Sequence, residues 1–436
     1  MKHSKNNEAG QSFIILAFIM IGMISFSALA IDGGMLLHEH RRSQNAADAA
    51  AMAAAYAKIK SQPLGTAALN SAATNEYGTT AQACSPAGPD CVVGVGTDVT
   101  IQVTNPPRTG PYAGDPDYIH VIIDTEMDSN FAHLIFNGRL SNRAEATSRV
   151  WPPENYANGN AIHAATEHDC EGIWYSGTGD TDISGGNVFS NSDAASVSCQ
   201  SGVQGGAGAI TVHAPYNLNV VGTFDTGGSG AVSPAPSEGV PSDDLRWMII
   251  PDCSHLPDQG SAKVNYAGVT TIDPGGYSEI TISNPNATLV MNPGMYCVDG
   301  HKGFTGTGGV VNGTDVMIVM VDGPFNLGGG TDVNLAAETD PDTLIDADGY
   351  DWKGMLLFGH PNNPDDITIN GNTGTNYTGT IFAPNSLITI NGNGTTMGVN
   401  SQLIGYKVKV TGTANISIAY NEGDNYYLPH AIDLIR

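Results

Sequence analysis

Basic side chains are scarce in this sequence: 17 Lys and Arg stand against 43 Asp and Glu, a formal net charge of −26 over 436 residues. The shortage is uneven, because residues 1–60 carry six Lys/Arg and four Asp/Glu whereas residues 61–436 carry eleven and thirty-nine. A body of that sign repels phosphate backbones and anionic headgroups, which excludes nucleic acid as a partner and membrane-surface binding through the body. Cys-x-x-Cys is also missing, so zinc-finger and thioredoxin-like chemistry have no motif to stand on. No glycine cluster leads into Lys-Ser or Lys-Thr or opens a helical pattern, which removes the phosphate-binding loop. Charged residues make up only 14%, against 54 Gly and 24 Pro, a composition that disfavours helices and favours many short strands joined by tight turns.

What is present begins with an apolar run. From Phe13 to Ile31 there are nineteen residues without a charge, close to the roughly 20 that cross a bilayer core as a helix. Lys2 and Lys5 precede it, so the positive-inside rule keeps the N-terminus cytoplasmic and sends the rest outward. Helix formers continue through Gln44-Asn45-Ala46-Ala47-Asp48-Ala49-Ala50-Ala51-Met52-Ala53-Ala54-Ala55, with Gly33-Gly34 as an expected bend. A helix from Ser12 to Lys60 would be about 70 Å long, half of it outside the bilayer. Its alanines suit either close packing between helices or a seat on the protein's own sheet. Ala28-Leu29-Ala30 has the small-x-small form of a signal-peptidase site. Retention is the expectation, because the run is long for a signal core and the helical pattern continues directly from it.

Thr97–Thr104, Tyr118–Asp124 and Ser141–Val150 alternate partially and are rich in β-branched residues, so residues 61–152 read as a small sheet under the helix. From about residue 160 an internal period takes over. Ile367-Thr368-Ile369-Asn370-Gly371-Asn372 recurs 21 residues later as Ile388-Thr389-Ile390-Asn391-Gly392-Asn393, and after a further 20 as Val408-Lys409-Val410-Thr411-Gly412. Weaker copies stand at Ile280–Asn284 and Asp182–Gly186. Steps of this size fit the coils of a parallel β-helix, in which stacking buries a core that no single coil could bury. The fold expected is mainly β: a long pilin-like transmembrane helix with a small antiparallel sheet, followed by a right-handed parallel β-helix. The divisions expected are 1–60, 61–152, 153–425 with an exposed linker near 226–245, and a tail at 426–436.

Cys84, Cys91, Cys170, Cys199, Cys253 and Cys297 are even in number and point to an oxidising compartment. The chain-local pairing is Cys84–Cys91, Cys170–Cys199 and Cys253–Cys297, one of fifteen connectivities. Buried free thiols are the alternative.

Gly10-Gln11 before the apolar span, Ala30-Ile31-Asp32 at its end and Arg41-Arg42-Ser43-Gln44-Asn45-Ala46-Ala47-Asp48-Ala49-Ala50 together resemble the N-terminal domain of Flp pilus-assembly TadG-like proteins, over roughly residues 9–58. Gly110-Pro111-Tyr112 and Tyr118-Ile119-His120-Val121 are similar to the segment that often follows. Pro293–Cys297, Tyr377–Asn385 and Gln402–Gly405 resemble the β-rich region found behind such a helix in envelope proteins. The resemblance implies the tight-adherence (Tad) machinery that assembles Flp pili and supports surface attachment. One departure stands out: pilins of the type IV kind carry Glu at the fifth position after the cleaved glycine, and Ile15 stands there after Gly10. An assembly role is therefore expected rather than that of a shaft subunit.

An enzyme is not expected. Lyases of acidic sugars need cations to neutralise the substrate carboxylate, yet residues 151–436 hold seven Lys/Arg: Arg246, Lys263, Lys302, Lys353, Lys407, Lys409 and Arg436. A hydrolase of neutral sugars, which needs only two facing carboxylates, is the remaining catalytic alternative. His163, Glu167, His168 and Asp169 beside Cys170 have zinc-ligand types but read as an exposed polar turn. Asp340, Asp342, Asp346, Asp348 and Asp351 put hard oxygens in one short loop, as calcium sites do. Their spacing departs from the EF-hand and no Glu stands at the twelfth position, so a solvated acidic insertion is expected, with calcium as the alternative. The role expected is a single-pass inner-membrane protein, anchored by residues 13–31, whose extracytoplasmic body is a structural component of a Tad/Flp-type pilus-assembly or adhesion apparatus. Its partners would be other pilus or secretion subunits or surface polymers, and no cofactor is required. A secreted β-helix adhesin is the first alternative and a carbohydrate-active β-helix enzyme the second.

Overall fold

Strong helix formers from Ala9 to Ile59 set the first element. The computed structural model describes residues 9–84, 91–131, 139–243, 245, 248–340, 350–371, 374–394 and 396–435. Its first helix, α1 (Ala9–Ile59), is 51 residues long and runs through Gly33-Gly34 without interruption; the glycines weaken helix propensity without a proline to break the ladder. At 1.5 Å per residue it extends about 76 Å. It is the one helix among the described residues long and apolar enough to cross a membrane, with a mean hydropathy of 2.6 over its most apolar window.

The chain divides into two units, Met1–Pro153 with Pro429–Arg436, and Glu154–Leu428. In the first, α1 and α2 (Leu64–Thr74) cover an antiparallel sheet of β1 (Thr80–Ala83), β2 (Cys91–Val95), β3 (Val99–Thr104), β4 (Tyr118–Met127) and β5 (Leu140–Trp151), closed by the strand Ala431–Ile435. Ala46, Ala47, Ala50, Ala51, Ala54 and Ala55 are fully buried. Their spacing draws one face of the helix, and methyl side chains let its backbone come close enough for the Ser148 hydroxyl to donate to the Ala51 carbonyl at 2.9 Å. The alanine flank thus sits on the protein's own sheet. The C-terminal residues, expected as a tail, form a strand because Ile432 and Leu434 pack on this core while Ala431–Ile435 pairs with Trp151–Thr147.

The second unit is inserted between β5 and that last strand. Almost all its strands are parallel and fall into three ladders. The sequence repeats lie directly on one another: Ile367 pairs with Ile388 and Ile388 with Val408. The Ile280 copy belongs to the same ladder, through Phe304 and Phe325. The Ile183 copy falls instead in the third ladder, beside Ile418. Inward side chains form one continuous core along all three, Ile280, Phe304, Phe325, Ile367 and Ile388 among them.

The order of the rows is not the order of the chain. The first row, Ile162–Ala164 with Ile173–Tyr175, pairs on one side with Val188–Ser190 and on the other with Leu403–Gly412, near the chain's end. The chain therefore enters mid-stack, builds outward to Ser237–Glu238, returns to the opposite end at Asp258–Val264, and fills the remaining rows back to its starting point. Eleven rows at about 4.8 Å span roughly 48 Å, within reach of the 19 intervening residues, 239–257, in extended form. This return segment starts later than the linker expected near 226–245 and shares only residues 239–245 with it. Residues 232–233 and 237–238 of that expected linker are strands, and Gly230 is a corner residue: a Cβ there would lie 1.9 Å from the Gly208 carbonyl oxygen. Gly208 stands in the same relation to Gly179, and Gly179 to Ala414, so the glycine-rich turns are corners where backbone stacks on backbone.

Candidate functional site

In the first ladder the outward side chains are also apolar. Cys297, Val319, Phe358, Phe382, Ile404, His163 and Phe189 occupy successive rows in register. A second core forms over them from Met248, Trp352, Tyr156, Tyr426 and Leu428. The return segment is stapled down by Cys253–Cys297, and Cys84–Cys91 and Cys170–Cys199 are likewise joined. All three disulfides match the chain-local pairing.

Where this cover stops, a groove of about 750 Å³ remains, the size of a small-ligand site. Phe358 and Phe382 lie in its floor, with Tyr156, Leu245 and Met248 along one side; Thr166, Glu167, His168, Asp169, Asn385 and Tyr406 supply polar groups at the rim. The turn carrying Glu167–Asp169 is fixed by the Cys170–Cys199 bridge and by the Ser192 hydroxyl, which donates to the Asp169 carbonyl at 2.6 Å. The Tyr406 hydroxyl donates to the Asp169 carboxylate at 2.8 Å, and Lys407 Nζ lies 3.3 Å away. These two contacts, the tyrosine first, hold the Asp169 carboxyl below its ordinary range. A hydrogen bond with Asp193 at 3.1 Å raises His168.

His163 does not join them. It is buried, stacks on Phe189 with ring centroids 5.1 Å apart, and its Nδ1 lies 3.3 Å from the Asn160 amide nitrogen. Burial pushes its imidazole down to about 3, so it is neutral. The polar constellation is therefore split, with Glu167, His168 and Asp169 on the rim and His163 under the cover. No group of three or more His, Cys, Asp or Glu is placed to hold a metal ion among the described residues. Of the calcium candidates, Asp340 is exposed and Asp351 half-buried, with Asp351 accepting from the Lys353 amide at 3.0 Å. Asp342, Asp346 and Asp348 lie outside the described residues.

The first unit carries a second polar cluster, on α1 beyond the apolar span. Asp32 is buried and accepts from the backbone amides of Asn130 at 2.9 Å and Phe131 at 3.1 Å. About two turns on, His40 meets Asn142 at 2.8 Å, while Glu39 accepts from the Tyr77 hydroxyl at 2.8 Å and pairs with Arg42 at 3.3 Å. Arg42 also lies over the Tyr77 ring at 4.9 Å. Desolvation, first among the causes, drives the Tyr77 phenol up to about 12. These groups lock the sheet to the helix just past the apolar stretch, and His38 and His40 are exposed on the helix surface.

Two features escape sequence reasoning. The doubly covered ladder has a signal, since Met317-Ile318-Val319-Met320-Val321 and Met355-Leu356-Leu357-Phe358 are unbroken apolar runs where a strand with one wet face would alternate. The Asp32 staple has none, because its partners are backbone amides 98 and 99 residues away.

Comparison with known proteins finds one family: a model described as Flp pilus-assembly TadE/G-like matches residues 10–57, the stretch occupied by α1. No curated protein and no solved structure matches significantly.

Proposed function

With its N-terminal helix carrying a Tad-family domain, we propose that this chain is a membrane-anchored, extracytoplasmic structural component of a Tad/Flp-type pilus-assembly or adhesion apparatus. Its inserted unit, in this reading, is a right-handed parallel β-helix, the hand favoured for parallel crossovers. One observation carries the proposal: α1 is divided lengthwise into two environments. From Phe13 to Ile31 its large apolar side chains are 46–76% exposed, a cost in water that a bilayer removes, whereas Ala46, Ala47, Ala50, Ala51, Ala54 and Ala55 are fully buried. Lys2 and Lys5 orient the body outward from the inner membrane, and three disulfides accord with that compartment. Ile15 in place of Glu favours assembly over membership of the shaft. The role needs no cofactor and no catalysis.

Release as a soluble adhesin would require cutting after Ala30, inside an uninterrupted helix and two residues before the buried Asp32 carboxylate. Mass spectrometry of the mature N-terminus decides between the two, since Ile31 as first residue removes the anchored reading. For the assembly role, the full chain is crosslinked in membranes and its partners identified. Co-purification with pilus or secretion subunits is expected, and their consistent absence would reject it.

A further inference from the structure

The two ends of the stacked rows are finished differently. At one end the strands Phe224–Asp225, Val232–Ser233 and Ser237–Glu238 are two residues long, Pro234 and Pro236 stand between the last two, and the Glu238 carboxylate accepts from the Phe224 amide at 2.8 Å. Short strands, prolines and a side chain capping the ladder are ways of stopping further pairing. At the other end, Asp258–Val264 is interrupted by a bulge at Gly260 and carries Lys263 paired with Glu279, but Gly268–Ile272 has none of these defences. It reads Gly-Val-Thr-Thr-Ile, five residues without charge or proline, and its single strand partner among the described residues is Ala287–Met291.

The hydrogen-bond parity identifies what is left open. The Gly268 amide donates to Asn286, and the Ile272 carbonyl accepts from Asn292. The even-numbered residues therefore face the paired side, and the amides and carbonyls of Val269 and Thr271 face outward from the end of the stack. Val269 is 72% exposed and Tyr266, in the turn before it, is 84% exposed. Thr270 continues the row of the fully buried Leu289, yet is itself exposed.

We propose that this edge pairs antiparallel with the same edge of a second copy of this chain, across a two-fold axis at Thr270. In that register Val269 exchanges hydrogen bonds with Thr271 of the other copy, Thr270 faces its counterpart, and the inner row continues across the axis. β-Branched residues opposite one another are favourable cross-strand pairs. Charge also selects the edge, because two copies of a chain of net charge −26 repel over most of their surface and this strand carries none. Since the opposite end is blunted, head-to-tail growth has no acceptor and association closes at two.

Full-length chain in detergent micelles tests it. Thr270→Cys, oxidised mildly and run without reductant, is expected to give a covalent dimer, because facing residues of a non-hydrogen-bonded pair lie about 4.5 Å apart at Cα. Ser237→Cys at the blunted end, which controls for contacts through the membrane helix, is expected to give none. Val269→Lys, at an exposed position that leaves the inner core untouched, should weaken self-association about ten-fold or more by light scattering. Equal crosslinking of the two cysteine variants, a monomer at all concentrations, or crosslinking only to a different protein would each overturn the proposal.

Discussion

The unit that holds the long apolar helix and the unit inserted into it solve the same burial problem with opposite side chains. The first seats a 51-residue helix on its sheet through alanines, so the helix-to-sheet distance is set by methyl groups. The second fills the space between ladders with Ile, Val, Leu and Phe repeated row upon row, and over its first ladder it does so on both faces. A core of small residues fails when something is enlarged; a core of large ones fails when something is removed. The largest expected effect tests the second half of that contrast. Phe325→Ala, at a site 1% exposed between Phe304 and Ile367, should cost about 3–5 kcal/mol, read as a lowered denaturation midpoint of the inserted unit. A loss below about 1 kcal/mol would mean the rows collapse freely and the close-packed picture is wrong.

The covered outer face of the first ladder gives the next effect, through acidity. In an unfolded chain His163 takes up a proton below about 6.5, and in the folded one only near 3. The unfolded state thus binds the extra proton across that window. The stabilisation is complete above pH 6.5 and is lost on acidification toward 3, at up to about 1.4 kcal/mol per pH unit. Asp243 is the carboxylate facing this ring, 3.9 Å from Nδ1, and the exposed His168, raised by Asp193, acts weakly in the opposite sense. Denaturation midpoints measured from pH 7 to 4.5 should fall more steeply for the wild type than for His163→Gln. Parallel slopes would show that the cover over this ladder admits water.

The alanine side of the contrast is tested by Ala51→Leu. Ala51 is fully buried and its carbonyl accepts from Ser148, so three added carbons must push the helix off the sheet, at about 1–3 kcal/mol. The same change at Ala17→Leu, on the exposed stretch, should leave the unit's stability unchanged. Equal effects at the two positions would erase the division of α1 on which the anchored reading rests.

How much of this was legible depended on the range over which each signal acts. The long apolar helix, its alanine face and the repeats at Ile367, Ile388 and Val408 are patterns within a few dozen residues, and each emerged as an element or a ladder. The three disulfides followed from proximity in the chain. The permuted row order did not, because nothing local says that Ile162 stacks on Leu403 and not on a row of its own making. The start of the linker was set too early for a related reason: Gly227, Gly228 and Gly230 look like a flexible connector, and only the stacking of Gly230 on Gly208 reveals a corner. At the candidate groove, Glu167–Asp169 was visible as a polar turn, whereas Phe358 and Phe382 beneath it belong to another part of the sequence and are brought there by the ladder.

The smallest predicted effect lies where neither core rule applies, at Asp32. Its carboxylate is 5% exposed and receives two backbone amides, a charge-assisted arrangement that joins the root of the loop after β4 to the helix immediately past its apolar span. Asp32→Asn keeps the volume and an acceptor oxygen but weakens one bond and turns the other oxygen into a donor facing an amide hydrogen. The expected cost is about 1 kcal/mol, local rather than global, equivalent to about five-fold faster hydrogen exchange at the Asn130 and Phe131 amides. Exchange elsewhere on the sheet should stay unchanged, because the alanine contact holds the helix independently. If protection were lost across β4 and β5 as well, the carboxylate and not the methyl-lined contact would be what fastens this unit to its anchor, and the contrast between the two cores would have to be redrawn around a polar staple.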